Sequence, residues 1–230
     1  VFNSPDYAYA KATLAAELAA QPQTSASTLA KKQTESASPV ARYYQALLLA
    51  RAGKEKQALE ILTPLNAKHP DNLWIGVALA DTQRQLKQDQ AASQTLKNLL
   101  TYSPDHPVIA LKQAQLWMES DPERAYQSLR ASLRNHPHND ALLGALAEAA
   151  ARAQHPIEHH EALGMYFMAQ QRLHEAHSEF ETARTLTYPS NPNLAASGSE
   201  LIARQRLDAQ IKLVEAQILA ARERKKEKGM

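Results

Sequence analysis

The sequence predicts an all-α protein, a right-handed α-solenoid of helix–turn–helix repeats that ends in a long C-terminal capping helix. The composition is the first reason: the chain is rich in Ala, Leu, Gln and Glu, with only six glycines and 6% aromatic residues. Such a composition favours helix over strand. The second reason is a proline-closed unit that returns about every 34 residues. The third is a pair of small residues that returns with it.

The segment Val40–Pro70 is the template of the repeat. It contains two helical patterns, with Gly53 in the turn between them and a proline at its end. Small residues at Ala46 and Ala58 mark where the two helices must approach closely. In the second helix, Leu62 follows an apolar residue at the i, i+3 spacing of one helical face. A single unit this small cannot bury its apolar face, so the sequence predicts neighbouring units.

Matching units follow along the chain. Prolines close them at Pro70, Pro104 and Pro137, in similar His/Ser-Pro contexts. The small pairs are Ala46/Ala58, Ala80/Ala92 and Ala114/Ala125, and a late unit has Gly164, Phe167, Ala176, Phe180 and Ala183 at corresponding positions. This period and these positions resemble tetratricopeptide repeats (TPR). The resemblance is incomplete, because Lys87 stands where a turn glycine is usual and the turn at 120–122 is one residue shorter.

The predicted organisation has three parts. Residues 1–38 form an N-terminal helix and linker that pack on the array, 39–190 form the TPR-like repeats, and 191–230 form the capping helix. The repeat limits are about 39–72, 73–106, 107–139, 140–156 as a partial unit, and 157–190.

The remaining helices are predicted from caps and apolar faces. Ser4 or Asn3 caps the first helix, with Pro5 in its first turn. Tyr7, Leu14 and Leu18 share one face of that helix. A short helix is predicted near Thr28–Lys32, and another helix at about 139–153. The capping helix, roughly 199–227, has an apolar stripe of Leu201, Leu207, Ile211, Val214 and Ile218. Trp117 falls on a packing position.

Charge and cysteine content exclude several classes of function. The net charge of +2 gives little support to nucleic-acid binding. The absence of cysteine excludes disulfides and thiol catalysis, and it suits an oxidising compartment as well as any other. No apolar run approaches the ~18 residues of a membrane span. Because the chain begins at Val1 without an initiator Met, we expect a fragment or a processed form.

Two groups of histidines could bind a metal. The segment His155–His159 matches H-x-x-E-H, an inverted zinc-protease motif. Pro156 belongs in the first turn of a helix, which places His155 at the cap rather than inside the helix and argues against a zinc site. His174 and His177, beside Glu175 and Glu179, are the second group, and exposed surface residues are the simpler interpretation. We therefore predict no metal ligands, catalytic residues or cofactor in this chain.

The TPR resemblance implies a binding groove. In such arrays, the second, fifth, ninth, twelfth and thirteenth positions of each first helix line the concave surface. Those positions give Tyr43, Leu47, Arg51, Trp74, Val77, Asp81, Arg84, Gln85, Leu111, Gln115, Met118 and Glu119. An aromatic side chain with Arg and Gln beside it suits an extended peptide or a partner helix. Alternatively, the chain's own segments fill the groove.

Three short motifs resemble a narrower family. They are the start at 4–12 (SPDYAYAKA), the L-x-P-L-x-x-x-x-P-x-N run at Leu62–Asn72 followed by Trp74, and the closing segment at 203–211 (ARQRLDAQI). They are similar to the C-terminal half of BepA-type (YfgC-like) proteins, which are bacterial periplasmic zinc metalloproteases with a TPR domain after the catalytic domain. The H-E-x-x-H motif of that family is absent from these 230 residues.

This second resemblance implies a non-catalytic interaction module. The catalytic domain and its zinc would precede Val1. The repeats would recruit the outer-membrane protein assembly machinery or its clients in the periplasm, and would pack on the protease domain. One alternative is a stand-alone scaffold that binds a partner peptide, with the cytoplasm as the other compartment. The second is a zinc hydrolase that uses His155, Glu158 and His159.

Overall fold

All the secondary structure that the structure describes is helical. The structure is a computed structural model and describes residues 4–26, 38–188 and 197–228. Its helices are α1 (Pro5–Glu17), α2 (Pro39–Arg51), α3 (Glu55–Lys68), α4 (Leu73–Gln85), α5 (Asp89–Leu100), α6 (Pro107–Trp117), α7 (Pro122–Leu133), α8 (Asp140–Arg152), α9 (Pro156–Ala169), α10 (Leu173–Leu186) and α11 (Gly198–Lys228). Residues 22–26 are helical too, whereas the helix predicted near Thr28–Lys32 lies outside the described residues. The all-α prediction is confirmed.

The chain divides into two compact units, Val1–Leu116 and Trp117–Met230. We call them unit 1 and unit 2. Unit 1 contains α1 to α5 and nearly all of α6, and unit 2 contains α7 to α11. Across the described ranges, none of the helices combines the length and apolar character needed to span a membrane.

The helices of unit 1 form hairpins that meet at alanines. Ala46 of α2 and Ala58 of α3 are both 0% exposed, and Ala80 and Ala92 occupy the same places in the α4–α5 hairpin. An alanine side chain is a single methyl group, so the two backbones can lie close together. The spaces between hairpins are filled by larger, fully buried side chains such as Leu62. A larger residue at an alanine site would overpack the hairpin.

Among the described helices, four are followed by a residue in the left-handed backbone conformation. These residues are Gly53 (φ 71°), Lys87 (φ 59°), Gln154 (φ 61°) and Gln171 (φ 60°). At the end of α4, the Lys87 N–H donates to the carbonyl of Arg84, and the Gln88 N–H donates to the carbonyl of Gln83, both at 2.9 Å. These two bonds satisfy carbonyls that the helix leaves free. Only Gly53 avoids the steric cost of about 1–2 kcal/mol that a side chain adds in this conformation.

The asparagines that follow the repeat prolines are helix caps. Asn72 Oδ1 accepts a hydrogen bond from the Ile75 N–H at 3.1 Å at the start of α4. Asn139 does the same for Leu142 at 3.0 Å at the start of α8. Each cap satisfies a backbone donor that the helix leaves free, which is worth about 1 kcal/mol. Ser4 caps α1 as predicted.

Helix α1 packs on α2 through small and aromatic residues. The face shared by Tyr7, Leu14 and Leu18 is exposed, at 44%, 56% and 74% respectively. The buried residues of α1 are Tyr9, Ala12 and Ala16. The Tyr9 ring meets Tyr43 of α2 edge-on, with 5.2 Å between the ring centroids. Alanines on this face let α1 lie close to α2, which the larger side chains of the other face would prevent.

Unit 2 ends in a hairpin that α11 covers. Gly164 of α9 lies against the fully buried Phe180 of α10. Across α10, the long helix α11 buries Leu207, Ile211 and Val214, and Ile218 packs beside them. Leu201 is 46% exposed, so its predicted place on this stripe is wrong. Leu201 lies six positions before Leu207, which turns it roughly 120° away from the buried face at about 100° per residue.

Trp117 is less buried than its packing position predicts. It is half-buried, and the guanidinium carbon of Arg124 lies 4.1 Å from the centre of its ring. A cation over an indole face is attracted by the electrons of the ring. The side chain therefore joins a cation–π contact at the surface instead of the core of unit 2.

Candidate functional site

A cavity of about 430 Å³ opens in unit 1 between α1, α2, α4 and α6. This volume is within the usual range of ligand pockets. Seven of the residues predicted for the groove line it, namely Tyr43, Leu47, Arg51, Trp74, Val77, Asp81 and Gln85. The other lining residues are Thr13, Ala16, Glu17, Ala50, Ala78, Thr82 and Lys112. The first helices of two successive repeats thus form one concave surface, which we call the unit 1 groove.

The other five predicted residues do not line this cavity. Arg84 and Gln115 are exposed and Leu111 is half-buried in unit 1. Met118, which is 7% exposed, and Glu119 belong to unit 2, where Glu119 forms an ion pair with Arg152 at 2.8 Å.

One wall of the groove is the end of α1. The Arg51 guanidinium donates hydrogen bonds to the backbone carbonyls of Ala16, of Glu17 at 2.7 Å and of Ala19 at 3.3 Å. These carbonyls are at the C-terminal end of the helix, where the helix dipole favours a cation. Arg51 is therefore held by the chain itself. The repeat positions could not predict this wall, because they describe only the repeat helices.

Tyr43 is also held by α1. Its hydroxyl lies 2.8 Å from the Thr13 hydroxyl, and the residue is only 2% exposed. Burial raises the pKa of Tyr43 to about 12, with the hydrogen bond to Thr13 acting in the opposite direction. The phenol therefore stays neutral at physiological pH. At the first repeat, the chain itself occupies much of the predicted binding surface.

The second repeat contributes the accessible part of the groove. Asp81 is paired with Lys112 of α6 at 2.7 Å, and the Thr82 hydroxyl donates to the carbonyl of Ala78 at 2.8 Å. The Gln85 amide and the Trp74 indole N–H have no hydrogen-bond partner among the residues that the structure describes. These two side chains are available to a ligand, beside the apolar surface of Leu47 and Val77.

Sequence reasoning missed several lining residues. Ala50 occupies the twelfth position of its helix and could have been found from the same repeat positions. Ala78 and Lys112 both occupy the sixth position, which is not a groove position in the pattern that the resemblance supplies. The lining residues of α1 lie outside the repeats, so no repeat position indicated that they would face the groove.

The histidines have separate partners. His155 Nε2 lies 2.6 Å from Glu123, His159 Nδ1 lies 2.8 Å from the carbonyl of Ala147, and His160 Nδ1 lies 2.7 Å from Glu179. Pro156 is in the first turn of α9 and His155 at its cap, as the sequence predicts. Hydrogen bonds from Gln127 and His155 lower the pKa of Glu123. Within residues 4–26, 38–188 and 197–228, no group of three His, Asp or Glu side chains converges as metal ligands would.

The second histidine group behaves in the same way. His177 Nε2 lies 3.4 Å from Glu215 of α11. Glu175 accepts a hydrogen bond from Arg172 at 3.1 Å. Backbone and Arg172 hydrogen bonds lower the pKa of Glu175. His177 thus contacts α11, whereas Glu179 contacts His160 of α9.

Comparison with known proteins identifies the repeats. A family model described as tetratricopeptide repeat matches residues 49–116. These residues are tetratricopeptide repeats. The match covers α3 to α5 and most of α6, and among these helices α4 and α6 line the unit 1 groove. Tetratricopeptide repeats are non-catalytic protein-interaction modules, and this chain contains such a module.

One curated relative and several solved structures extend the comparison. The chain is 30% identical over 112 residues to the beta-barrel assembly-enhancing protease of Yersinia pestis. This alignment covers 48% of the chain but only 23% of that protein. A tetratricopeptide repeat protein from Parabacteroides merdae superposes with a TM-score of 0.55 at 14% identity, covering 93% of this chain and 86% of that one. MamA from Desulfovibrio magneticus gives 0.53 at 13% identity, covering 71% and 92%. The predicted fold class, an α-solenoid of TPR hairpins, is confirmed.

Proposed function

We propose that this chain is the non-catalytic interaction module of a protease, and that the unit 1 groove binds an extended peptide or a helix of a partner protein. The observation that carries the proposal is the groove itself. Its accessible surface combines Trp74 and Gln85, whose polar groups have no hydrogen-bond partner among the described residues, with the apolar Leu47 and Val77.

The chemistry of the groove suits a peptide. The Gln85 amide offers a donor and an acceptor, which match the carbonyl and N–H groups of a peptide backbone. The Trp74 ring offers a large, rigid contact area next to apolar side chains, as at the centre of many binding surfaces. The Asp81–Lys112 pair is neutral overall, so the groove selects for shape and backbone hydrogen bonds more than for charge.

The role within a larger protein rests on the relative. The Yersinia protein is a protease named for enhancing β-barrel assembly. By analogy, the partners of this chain are the outer-membrane assembly machinery or its client proteins. The module would act in the periplasm and pack on a protease domain that carries the catalytic zinc. A stand-alone scaffold that binds a partner peptide is the alternative, and it needs only the groove.

Binding measurements test both levels of the proposal. The purified chain is titrated with purified β-barrel assembly proteins by biolayer interferometry. Val77→Glu places a charge on the apolar surface of the groove, and Gln85→Ala removes its free amide. Both should weaken binding by about tenfold, which corresponds to roughly 1.4 kcal/mol. Gln90→Glu is the control for charge, since this exposed residue of α5 does not line the groove.

The outcomes separate the two levels. If the groove variants bind as the wild type does, while circular dichroism shows an intact fold, the groove is not the binding surface. If the chain binds none of the assembly proteins but captures other peptides through the groove, the protease-associated role is wrong and the scaffold alternative stands.

A further inference from the structure

Unit 2 contains a second cavity, of about 490 Å³, which none of the predicted groove residues lines. It lies between α7, α8, α9 and the start of α11. Each of these helices contributes to the lining, for example Arg130, Leu143, Glu161 and Ile202. Glu158, Glu161 and Met165 occupy the second, fifth and ninth positions of α9, counted from Gly164 as the eighth. These are groove positions, so the same rule finds this cavity when it is applied to the last repeat.

The floor of the cavity is apolar. Leu143 and Ala162 are 1% and 2% exposed and form its base, and Leu146 and Met165 are half-buried beside them. At the rim, Ile202 of α11 is 64% exposed. Aliphatic side chains therefore line the cavity from its base to its opening.

The charges around this floor are of two kinds. Arg206 donates two hydrogen bonds to Glu161, both at 2.6 Å, and the Glu161 side chain is only 12% exposed. This bidentate pair is internally neutralised. Arg130 and Arg134, in contrast, are exposed and have no ion-pair partner in the described part of the chain. Arg130 lies in the last turn of α7 and Arg134 is the C-cap residue four positions later, with helical backbone angles, so the two side chains lie on one face.

The unpaired groups leave the cavity with a positive wall. Glu158 forms no ion pair or hydrogen bond with the described residues, although Arg206 attracts it electrostatically, and the three arginines of the lining outnumber its two carboxylates. The Tyr126 hydroxyl also has no hydrogen-bond partner among the described residues. A ligand with carboxylates would meet two guanidinium groups, which bind carboxylates through charge-assisted and often bidentate hydrogen bonds.

We propose that unit 2 carries a second binding site, for a peptide segment that combines acidic residues with an aliphatic side chain. The acidic residues bind Arg130 and Arg134, and the aliphatic side chain packs on Leu143, Ala162 and Met165. The charge of the wall determines this occupant, because a basic peptide would face Arg130 and Arg134, for which the described ranges contain no ion-pair partner. The site does not depend on the unit 1 groove, which has a neutral surface and different residues.

Fluorescence anisotropy with defined probes tests the site. The probe is a short fluorescein-labelled peptide of alternating glutamate and leucine. One companion peptide has lysine in place of glutamate, and the other has serine in place of leucine. The first probe should bind at least about tenfold more tightly than either companion, because each companion lacks one of the two required features.

Two pairs of substitutions locate the binding. Arg130→Glu with Arg134→Glu should weaken binding of the glutamate–leucine probe by about tenfold or more. Arg222→Glu with Arg224→Glu is the matched control, since it changes the net charge equally on exposed residues of α11 that do not line the cavity. The control should bind as the wild type does.

Every other result overturns the site. An equal loss in both double variants would mean that general attraction to a basic protein explains the binding. Equal affinity for the serine companion would exclude the apolar floor, and equal affinity for the lysine companion would exclude the arginines. Absence of binding to the glutamate–leucine probe would refute the proposal directly. Trp74→Ala, in the unit 1 groove, should leave this binding unchanged whether or not the proposed function holds.

Discussion

At the scale of single residues, two helical glycines differ in what surrounds them. A Cβ atom on Gly164 would lie 2.6 Å from Cδ1 of Phe180, a ring that is fully buried. A Cβ atom on Gly144 would lie 3.4 Å from the Tyr166 ring, which is an ordinary contact. Only the first glycine is required by packing.

Alanine at these two positions should therefore have opposite effects. Gly164→Ala should lower the free energy of unfolding by about 1–3 kcal/mol, because the Phe180 ring has no room to move. Gly144→Ala should be neutral or stabilising by up to ~1 kcal/mol, because alanine favours helix. Urea denaturation followed by circular dichroism measures both. Equal effects would contradict the packing role of Gly164.

Tyr43 links the stability of unit 1 to alkaline pH. Its pKa is raised from 10.0 to about 12 in the folded protein by burial. On raising the pH, the unfolded state therefore loses this proton before the folded state does. The neutral Tyr43 phenol contributes fully to the free energy of unfolding below pH ~10, and this contribution is lost as the pH rises towards 12. Between pH 9 and pH 11, wild type should lose about 1 kcal/mol more stability than Tyr43→Phe does.

Denaturant titrations at the two pH values measure that difference. Phenylalanine should also cost about 1 kcal/mol at pH 9, because the hydrogen bond to Thr13 is lost. If wild type and Tyr43→Phe lose the same stability between pH 9 and pH 11, Tyr43 has the same pKa in the folded and unfolded states, and the prediction is wrong.

At the scale of elements, α11 is held to α10 by a stripe of buried apolar residues and by the polar contacts of Arg204. Val214 is 0% exposed, whereas the adjacent Leu213 is 51% exposed. Arg204 donates to the Thr187 carbonyl at 2.8 Å and lies over the Tyr188 ring at 3.8 Å. The helix thus has one face that unit 2 needs and another that it does not.

Aspartate on each face distinguishes them. Val214→Asp should destabilise unit 2 by at least ~3 kcal/mol, because a carboxylate would be buried without a partner. Leu213→Asp should change stability by no more than ~0.5 kcal/mol. Thermal unfolding monitored by the fluorescence of Trp117, in a Trp74→Phe background, measures both. Similar melting temperatures for the two variants would show that α11 does not cover α10 in solution.

At the scale of the whole molecule, the features that could be predicted are those that recur in successive repeat units of the sequence. The period, the alanine pairs and the Gly53 turn each follow from a local requirement that recurs, so several units supply independent evidence for it. Trp74 and Val77 in the groove could be located for the same reason. Leu201 was misplaced because a stripe was drawn across six residues, which is not a whole number of helical turns.

The features that could not be predicted depend on contacts that occur once. No pattern links Arg51 to the carbonyls of α1, because backbone acceptors are the same in every sequence. Lys112 likewise pairs with Asp81 only because α6 brings it there. The α9 side of the unit 2 cavity follows from the repeat positions, but its α11 side does not, because the sequence between α10 and α11 contains no repeat from which the path of the chain could be inferred.

The location of Trp74 in the unit 1 groove gives the protein an intrinsic optical reporter. The chain has two tryptophans, and the other belongs to unit 2. Indole emission shifts to shorter wavelength when a neighbouring molecule excludes water from the ring. In a Trp117→Phe background, occupancy of the groove could therefore be followed without a dye. Because the chain has no cysteine, a single introduced thiol would also accept a second fluorophore at one chosen position.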